Sequence, residues 1–217
     1  MPEMSLQTHR FIAVEGPIGA GKTTLAGKLA ASFDRMLLPE KADENPFLDR
    51  FYRDRRGNAL ATQLFFLFQR SRQLDDLPED DLFAPNLVAD FLIEKDKLFA
   101  KLNLDQHEFE LYQMVYDKLT IRAPKPDLVI YLQAPVDVLA DRIRRRGIGY
   151  EQSISRDYLE SLNAAYSEFF HYYDEAPLLI VNAAAIDFAD NENHYAGLVE
   201  YLGKIQSGRH YFNPTFF

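Results

Sequence analysis

The 217-residue chain contains no cysteine. A disulfide framework, a zinc–thiolate site and a thiol nucleophile are therefore excluded. Long apolar stretches are missing too: no run approaches the roughly 18 residues that a membrane-spanning helix needs. Met1 to Arg10 carries no apolar core of a secretory leader. Positive charge is in deficit, with 24 Lys and Arg against 33 Asp and Glu, a formal net charge of −9. That balance argues against a nucleic-acid partner, because polynucleotide phosphates are normally met by a basic face. These absences set the expectations of a cytoplasmic protein with no membrane partner. What is present is an ordinary globular mixture, 47% hydrophobic and 26% charged, with enough apolar surface to offset chain entropy. The length suits one domain, 1–217.

Short apolar runs at Phe11–Glu15, Met36–Leu38, Leu87–Ala89, Leu128–Leu132 and Leu178–Val181 read as strands. Helical periodicity covers Thr24–Phe33, Leu60–Leu74, Asp105–Leu119, Val136–Arg145, Arg156–Tyr173 and Tyr195–Ile205. Strands alternating with long helices predict an α/β fold, a five-stranded parallel sheet with helices on both faces. The Asp105–Leu119 segment is apolar around much of its circumference, through Phe109, Leu111, Tyr112, Val115, Tyr116 and Leu119. Such a helix is either buried in the core or shared with a second copy. The acidic stretch Asp75–Asp81 reads as a solvated loop. The tail Arg209–Phe217, with four aromatics, is expected to dock on the body or on a partner subunit.

Gly16-Pro17-Ile18-Gly19-Ala20-Gly21-Lys22-Thr23 fits the pattern G-x-x-x-x-G-K-[ST], and it lies between an apolar strand and an amphipathic helix. Glycines there let the backbone approach an anion, the helix N-terminus adds positive dipole, and Lys22 adds a point charge. The Thr23 hydroxyl can ligate Mg²⁺. The cradle, Gly16, Gly19, Ala20, Gly21, Lys22, Thr23 and Thr24, is thus a site for ATP or another nucleoside triphosphate. No Asn-Lys-x-Asp guanine-reading motif occurs, and the chain is short for a motor ATPase, so a small-molecule kinase is the leading class.

Further motifs sharpen that class. They are Val14-Glu15-Gly16 running into the phosphate loop, Leu38-Pro39-Glu40, Asn45-Pro46-Phe47-Leu48 running to Phe51-Tyr52, Gln63 through Arg70, Asp90 through Phe99-Ala100, Arg142-Ile143 to Arg146-Gly147, and Glu151-Gln152 with Tyr158-Leu159. In this order, and over nearly the whole chain, they resemble the deoxynucleoside kinase family, especially its bacterial deoxyadenosine/deoxyguanosine kinase branch. The resemblance implies a P-loop three-layer α/β/α fold, a homodimer, and ATP with Mg²⁺ as the phosphate donor. It implies transfer of the γ-phosphate to the 5′-hydroxyl of a purine deoxynucleoside or deoxycytidine in nucleotide salvage. Glu40 would be the general base, Gln63, Arg70 and Asp96 would read the base, and Tyr52 and Glu151 would hold the sugar 3′-hydroxyl. Asp90 would serve Mg²⁺ with Thr23. Arg142 and Arg146, four residues apart on one helix face, would belong to a lid around 142–155 that closes over the triphosphate, with Arg144 and Arg145 turned to solvent.

Two regions depart from that pattern. Where the family has an arginine after its acidic residue, this chain has Phe91; where the lid has a further arginine, it has Ile148, and Tyr150 stands in place of an acid. Arg53, Arg55 and Arg56 are candidate replacements. These departures keep open a non-catalytic nucleotide-binding regulator on a kinase fold. A kinase of another small alcohol or of a nucleoside monophosphate is a further alternative.

Overall fold

A computed structural model of the chain describes residues 9–77, 86–119, 124–186, 188 and 191–213. In chain order the elements are β1 (Phe11–Glu15), α1 (Lys22–Ser32), β2 (Met36–Leu38), α2 (Leu48–Arg53), α3 (Arg55–Asp75) and β3 (Leu87–Ala89). Then come α4 (Lys95–Asn103), α5 (Gln106–Leu119), β4 (Leu128–Gln133), α6 (Val136–Arg146), α7 (Arg156–Tyr172), β5 (Leu178–Asn182), α8 (Glu192–Leu202) and β6 (Arg209–Phe212). Short 3₁₀ turns occupy Ala42–Glu44 and Gly149–Ser153.

All strands are parallel, in the order β2-β3-β1-β4-β5-β6. Among the described residues the sheet thus has six strands where the sequence pattern predicts five. The extra strand comes from the tail: after Gly208, Arg209 to Phe212 pair in register with Leu178 to Val181. Of its residues only Phe212 is buried, so this edge strand has no apolar run to betray it. Residues 214–217 of the tail lie outside the described residues, as does the 78–81 part of the acidic loop.

Alternation along β1 and β4 builds the three layers. Ile12, Val14, Leu128, Ile130 and Leu132 point to one face, against Leu25 and Leu29 of α1 and Leu198 and Leu202 of α8. Ala13, Val129 and Tyr131 point to the other, against Tyr158, Leu162, Tyr166 and Phe170 of α7. A third cluster joins Leu67 and Leu74 of α3 to Phe91 and to Tyr112 and Tyr116 of α5. In α5 only those two tyrosines are buried, while Leu111 and Met114 are exposed, so this is not a fully enclosed core helix. Among the described residues no helix is long and apolar enough to cross a membrane.

The topology fixes where ligands can go. From β1 the chain crosses to β2 and β3 on one side, then to β4 on the other. The C-terminal end of β1 is therefore a switch point, where open parallel sheets form their crevice. Glu15, Glu40 and Asp90 all lie at or just beyond that edge.

Candidate active site

The phosphate loop leaves β1 and enters α1 at Lys22. Two glycines in it are obligatory for space and conformation. Gly16 has φ 154°, and a Cβ there would lie 2.6 Å from the carbonyl oxygen of Leu132. Gly19 has φ 85°, and its Cβ would lie 2.8 Å from the carbonyl oxygen of Leu139. Only glycine adopts such a backbone freely. Gly21 precedes α1 without a side-chain cap, so the first N–H groups of that helix remain for an anion. Lys22 curls over the loop, its Nζ donating to the carbonyls of Gly16 (2.9 Å) and Pro17 (3.4 Å). Burial pushes its pKa down, against the pull of Glu15, Glu40 and Asp90. Thr23 Oγ1 donates to Asp90 Oδ2 at 2.6 Å. The other Asp90 oxygen accepts the backbone N–H of Glu40, so the carboxylate beside the loop also fixes the start of the next site segment.

Beyond the loop lies a floor of buried charge. Arg70 donates to Asp96 with one terminal nitrogen and to Glu40 with the other. Tyr112 Oη donates to the second Asp96 oxygen at 2.8 Å. Lys95 Nζ lies 2.9 Å from Glu40 Oε1 and 3.0 Å from Glu15 Oε1. Glu15 also accepts from the Gly16 N–H at 2.9 Å and from Tyr166 Oη at 3.3 Å. Burial alone would raise the Glu40 carboxyl, but Lys95, Arg70 and Lys22 outweigh it and hold it well below the usual carboxylate range. For Asp96 burial wins over Arg70 and Tyr112, and its pKa rises.

One cleft collects most of the residues singled out in the sequence: Gly19, Gly21, Lys22, Thr23, Thr24, Glu40, Tyr52, Gln63, Arg70, Arg146 and Glu151 all line it. Asp96 is not on that wall. It sits fully buried behind Arg70 and acts as its anchor. Tyr52 packs its ring parallel to Tyr150, centroids 6.1 Å apart, so the position that lost an acid now gives the cleft an aromatic wall. Arg146 and Glu151, expected in separate roles, pair with each other through Nε–Oε2 at 3.0 Å and Nη2–Oε1 at 2.6 Å. Arg142 lies on the far side of the loop, donating to the carbonyls of Ala183 (2.7 Å) and Ala20 (3.3 Å). A second, more open cavity there is lined by Ala20, Thr24, Arg142, Ile186 and Phe188.

None of the candidate replacements for the missing arginine, Arg53, Arg55 and Arg56, lines the cleft. Arg53 pairs with Asp49 on its own helix, and Arg55 stacks over the Tyr158 ring. Phe91 is buried in the third cluster beneath the Arg70 guanidinium, 5.9 Å from its centre. Two residues of the floor, Glu15 and Lys95, fall within motifs of the family resemblance, but the sequence reading gives neither a role in the site.

A family model described as deoxynucleoside kinase matches residues 12–205. The chain belongs to the deoxynucleoside kinase family. Among the curated relatives, the deoxyguanosine kinase of Bacillus subtilis (strain 168) is 35% identical over 205 residues, 92% of this chain and 99% of that one. The deoxyadenosine kinase of Lactobacillus acidophilus is 30% identical over 198 residues, covering 85% and 90%. The solved deoxyadenosine kinase of M. mycoides with bound dCTP superposes with a TM-score of 0.77 at 28% identity, covering 90% of this chain and all of that one. As a member of this family the chain is a transferase with a P-loop kinase fold, and the reading as a non-catalytic regulator is not favoured.

Proposed function

We propose that this deoxynucleoside kinase transfers the γ-phosphoryl group of ATP to the 5′-hydroxyl of a purine deoxynucleoside or deoxycytidine, in nucleotide salvage. The observation that carries this reading is one cleft in which the phosphate cradle around Lys22 faces Glu40, with Gln63, Arg70 and Tyr52 beyond. The base range is supported by relatives named deoxyguanosine kinase, deoxyadenosine kinase and, in B. subtilis, deoxyadenosine/deoxycytidine kinase. Arg70 Nε is buried with no acceptor among the described residues. Gln63, 3% exposed, offers both a donor and an acceptor. A base with an acceptor beside an exocyclic amino group, as in adenine, guanine or cytosine, would satisfy both.

In the transfer, the hydroxyl oxygen bonds the γ-phosphorus as the bond to the β-phosphate oxygen breaks. The hydroxyl proton passes to Glu40, and ADP leaves. A carboxylate held as low as Glu40 is a weak base, suited to take a proton that becomes acidic only as its oxygen bonds phosphorus. Lys22 and the loop amides carry the phosphate charge, and Arg142 and Arg146 close the cradle from α6. Mg²⁺ would be held by Thr23 Oγ1 and Asp90. Both are oxygen donors that already meet at 2.6 Å, and an ion shared with phosphates and water needs only one or two protein ligands. Among the described residues, no cluster of His, Cys, Asp or Glu could hold an ion alone. Such an ion would neutralise charge on the phosphates.

The same reading makes the protein a homodimer in the cytoplasm, where ATP is available. The exposed apolar side chains Leu111 and Met114 on α5 support a second copy as the occupant of that face. Phosphoryl-transfer assays with the four natural deoxynucleosides test the activity. Turnover of a purine deoxynucleoside or deoxycytidine is expected, and turnover of thymidine alone would overturn the base range. Sedimentation at micromolar concentration should give a dimer, and Leu111→Lys with Met114→Lys a monomer. A wild-type monomer would remove the assembly claim.

A further inference from the structure

The floor of the cleft poses a question that the missing arginine makes acute: which group orients Glu40 toward the attacking hydroxyl. A general base needs one carboxylate oxygen fixed and the other left to receive the proton. Arg70 and Lys95 both donate to the same oxygen, Oε1. No hydrogen bond from any described residue engages Oε2. Both cations thus leave the second oxygen to the cleft, which Glu40 and Lys95 line together with Lys22.

Lys95 is held just as firmly from behind. Its side chain is 3% exposed, and its second partner is Glu15, which is wholly buried. Glu15 is the last residue of β1 and accepts the N–H of Gly16, the first residue of the phosphate loop. A continuous set of contacts therefore runs from Gly16 through Glu15 and Lys95 to Glu40. It ties the place where the phosphates bind to the place where the proton is taken. Phe91 cannot do this, since its ring is buried under Arg70.

We propose that Lys95 is a positioning residue for phosphoryl transfer, supplying from α4 the cation absent at Phe91 and fixing Glu40 Oε1 so that Oε2 faces the substrate hydroxyl. The proposal rests on Glu40 being the base, and a mere structural bridge is its rival. A bridge would alter folding and both kinetic constants without distinction, whereas a positioning group acts through Glu40 on kcat.

The experiment is a double-mutant cycle. Lys95→Met should lower kcat by roughly 100-fold, within the range of base catalysis, while KM for either substrate stays within about threefold. Lys95→Met combined with Glu40→Gln should lose no more than Glu40→Gln alone, because a positioning residue has no effect without the group it positions. If Lys95→Met does not fold, Lys95→Met with Glu15→Gln removes the stranded carboxylate and serves in the same cycle. Because the chain has no cysteine, Lys95→Cys would bear its single thiol. Alkylation with 2-bromoethylamine in denaturant, followed by refolding, restores an ammonium at nearly the lysine length and should recover most of the turnover. Alkylation to a neutral propyl thioether should not. Near-normal kcat in folded Lys95→Met, or losses that add in the cycle, would overturn the proposal while leaving Glu40 as the base. Normal turnover in Glu40→Gln would instead remove the base itself, and the proposal with it.

Discussion

The floor of the cleft and the end of α6, the lid on the proposed reading, carry similar charges in opposite settings. On the floor, Glu15, Arg70, Lys95 and Asp96 are at most 4% exposed, and every charge has a partner of opposite sign within hydrogen-bonding reach. In the lid, Arg146 is 44% exposed and tied to Glu151, and Arg144 is 71% exposed and tied to Asp141 on its own helix. The floor belongs to different elements, β1, α3, α4 and the segment after β2, so moving one charge means moving a layer of the fold. The lid is one helix end and a 3₁₀ turn, joined at Gly147 with φ 70°. Preorganised charge is where a developing transition state gains most, because nothing must reorient during the reaction. Charge that must admit and release a nucleotide cannot be fixed in that way. On the proposed reading the two regions divide those tasks.

The largest test of that division is Arg70→Met. It leaves Asp96 fully buried without its cation and Glu40 with Lys95 alone, a loss of about 3–5 kcal/mol. At this chain length the thermal midpoint should fall by roughly 6–20 °C, measured by circular dichroism. A shift under about 2 °C would show that the floor is not locked. A second floor variant sharpens the point. Phe91→Arg restores the residue type that the family pattern carries, but it places a guanidinium at a position 1% exposed, directly beneath Arg70. Lower stability with no gain in kcat is expected. A clear gain in turnover would mean that the missing cation is not supplied from α4.

The parts legible in the sequence are those whose signal is consecutive. The phosphate loop is eight adjacent residues between a strand and a helix, and β1, β2 and β3 are apolar runs whose ends are found as read. The floor is a different kind of object. Glu15 and Lys95 stand 80 positions apart and meet because β1 ends beside the start of α4. Within a single sequence, Glu15 looks like the polar end of a strand and Lys95 like a solvated helix start. The helix α4 is itself obscured, because its buried Lys95 and Asp96 occupy positions where periodicity expects apolar side chains. The strand β6 is hidden for the reverse reason, an edge position that requires only Phe212 to be buried. Resemblance to a family supplied roles for Arg146 and Glu151 separately, but not the ion pair between them.

Effects in the lid should be smaller in stability and selective for rate. Arg146→Gln removes a partly exposed guanidinium from α6 whose partner Glu151 is buried, but an amide at the same position can still donate to that carboxylate, so the thermal midpoint should fall less than in Arg70→Met. Loss of the guanidinium should instead lower kcat by roughly 100-fold, the usual consequence of deleting one donor to charge that develops in the transition state. A single-turnover measurement separates this from slower product release. If the thermal midpoint falls as far as in Arg70→Met, the lid is part of the locked structure and the division fails.

The smallest expected effect comes from Arg144, two residues away. Its guanidinium pairs with Asp141 within α6 and does not line the cleft. Exposed pairs of this kind contribute little, because water and salt screen them and ordering two long side chains costs entropy. Arg144→Ala should therefore change kcat by less than about twofold, with no resolved change in melting. The contrast with Arg146 is informative because the two arginines share a helix turn, a residue type and a local charge. They differ in which face of α6 they occupy. A loss in Arg144→Ala comparable to that in Arg146→Gln would mean that the lid acts through its total positive charge. Separation of the two means that it acts through the direction of one guanidinium, which is the property that the helix register sets.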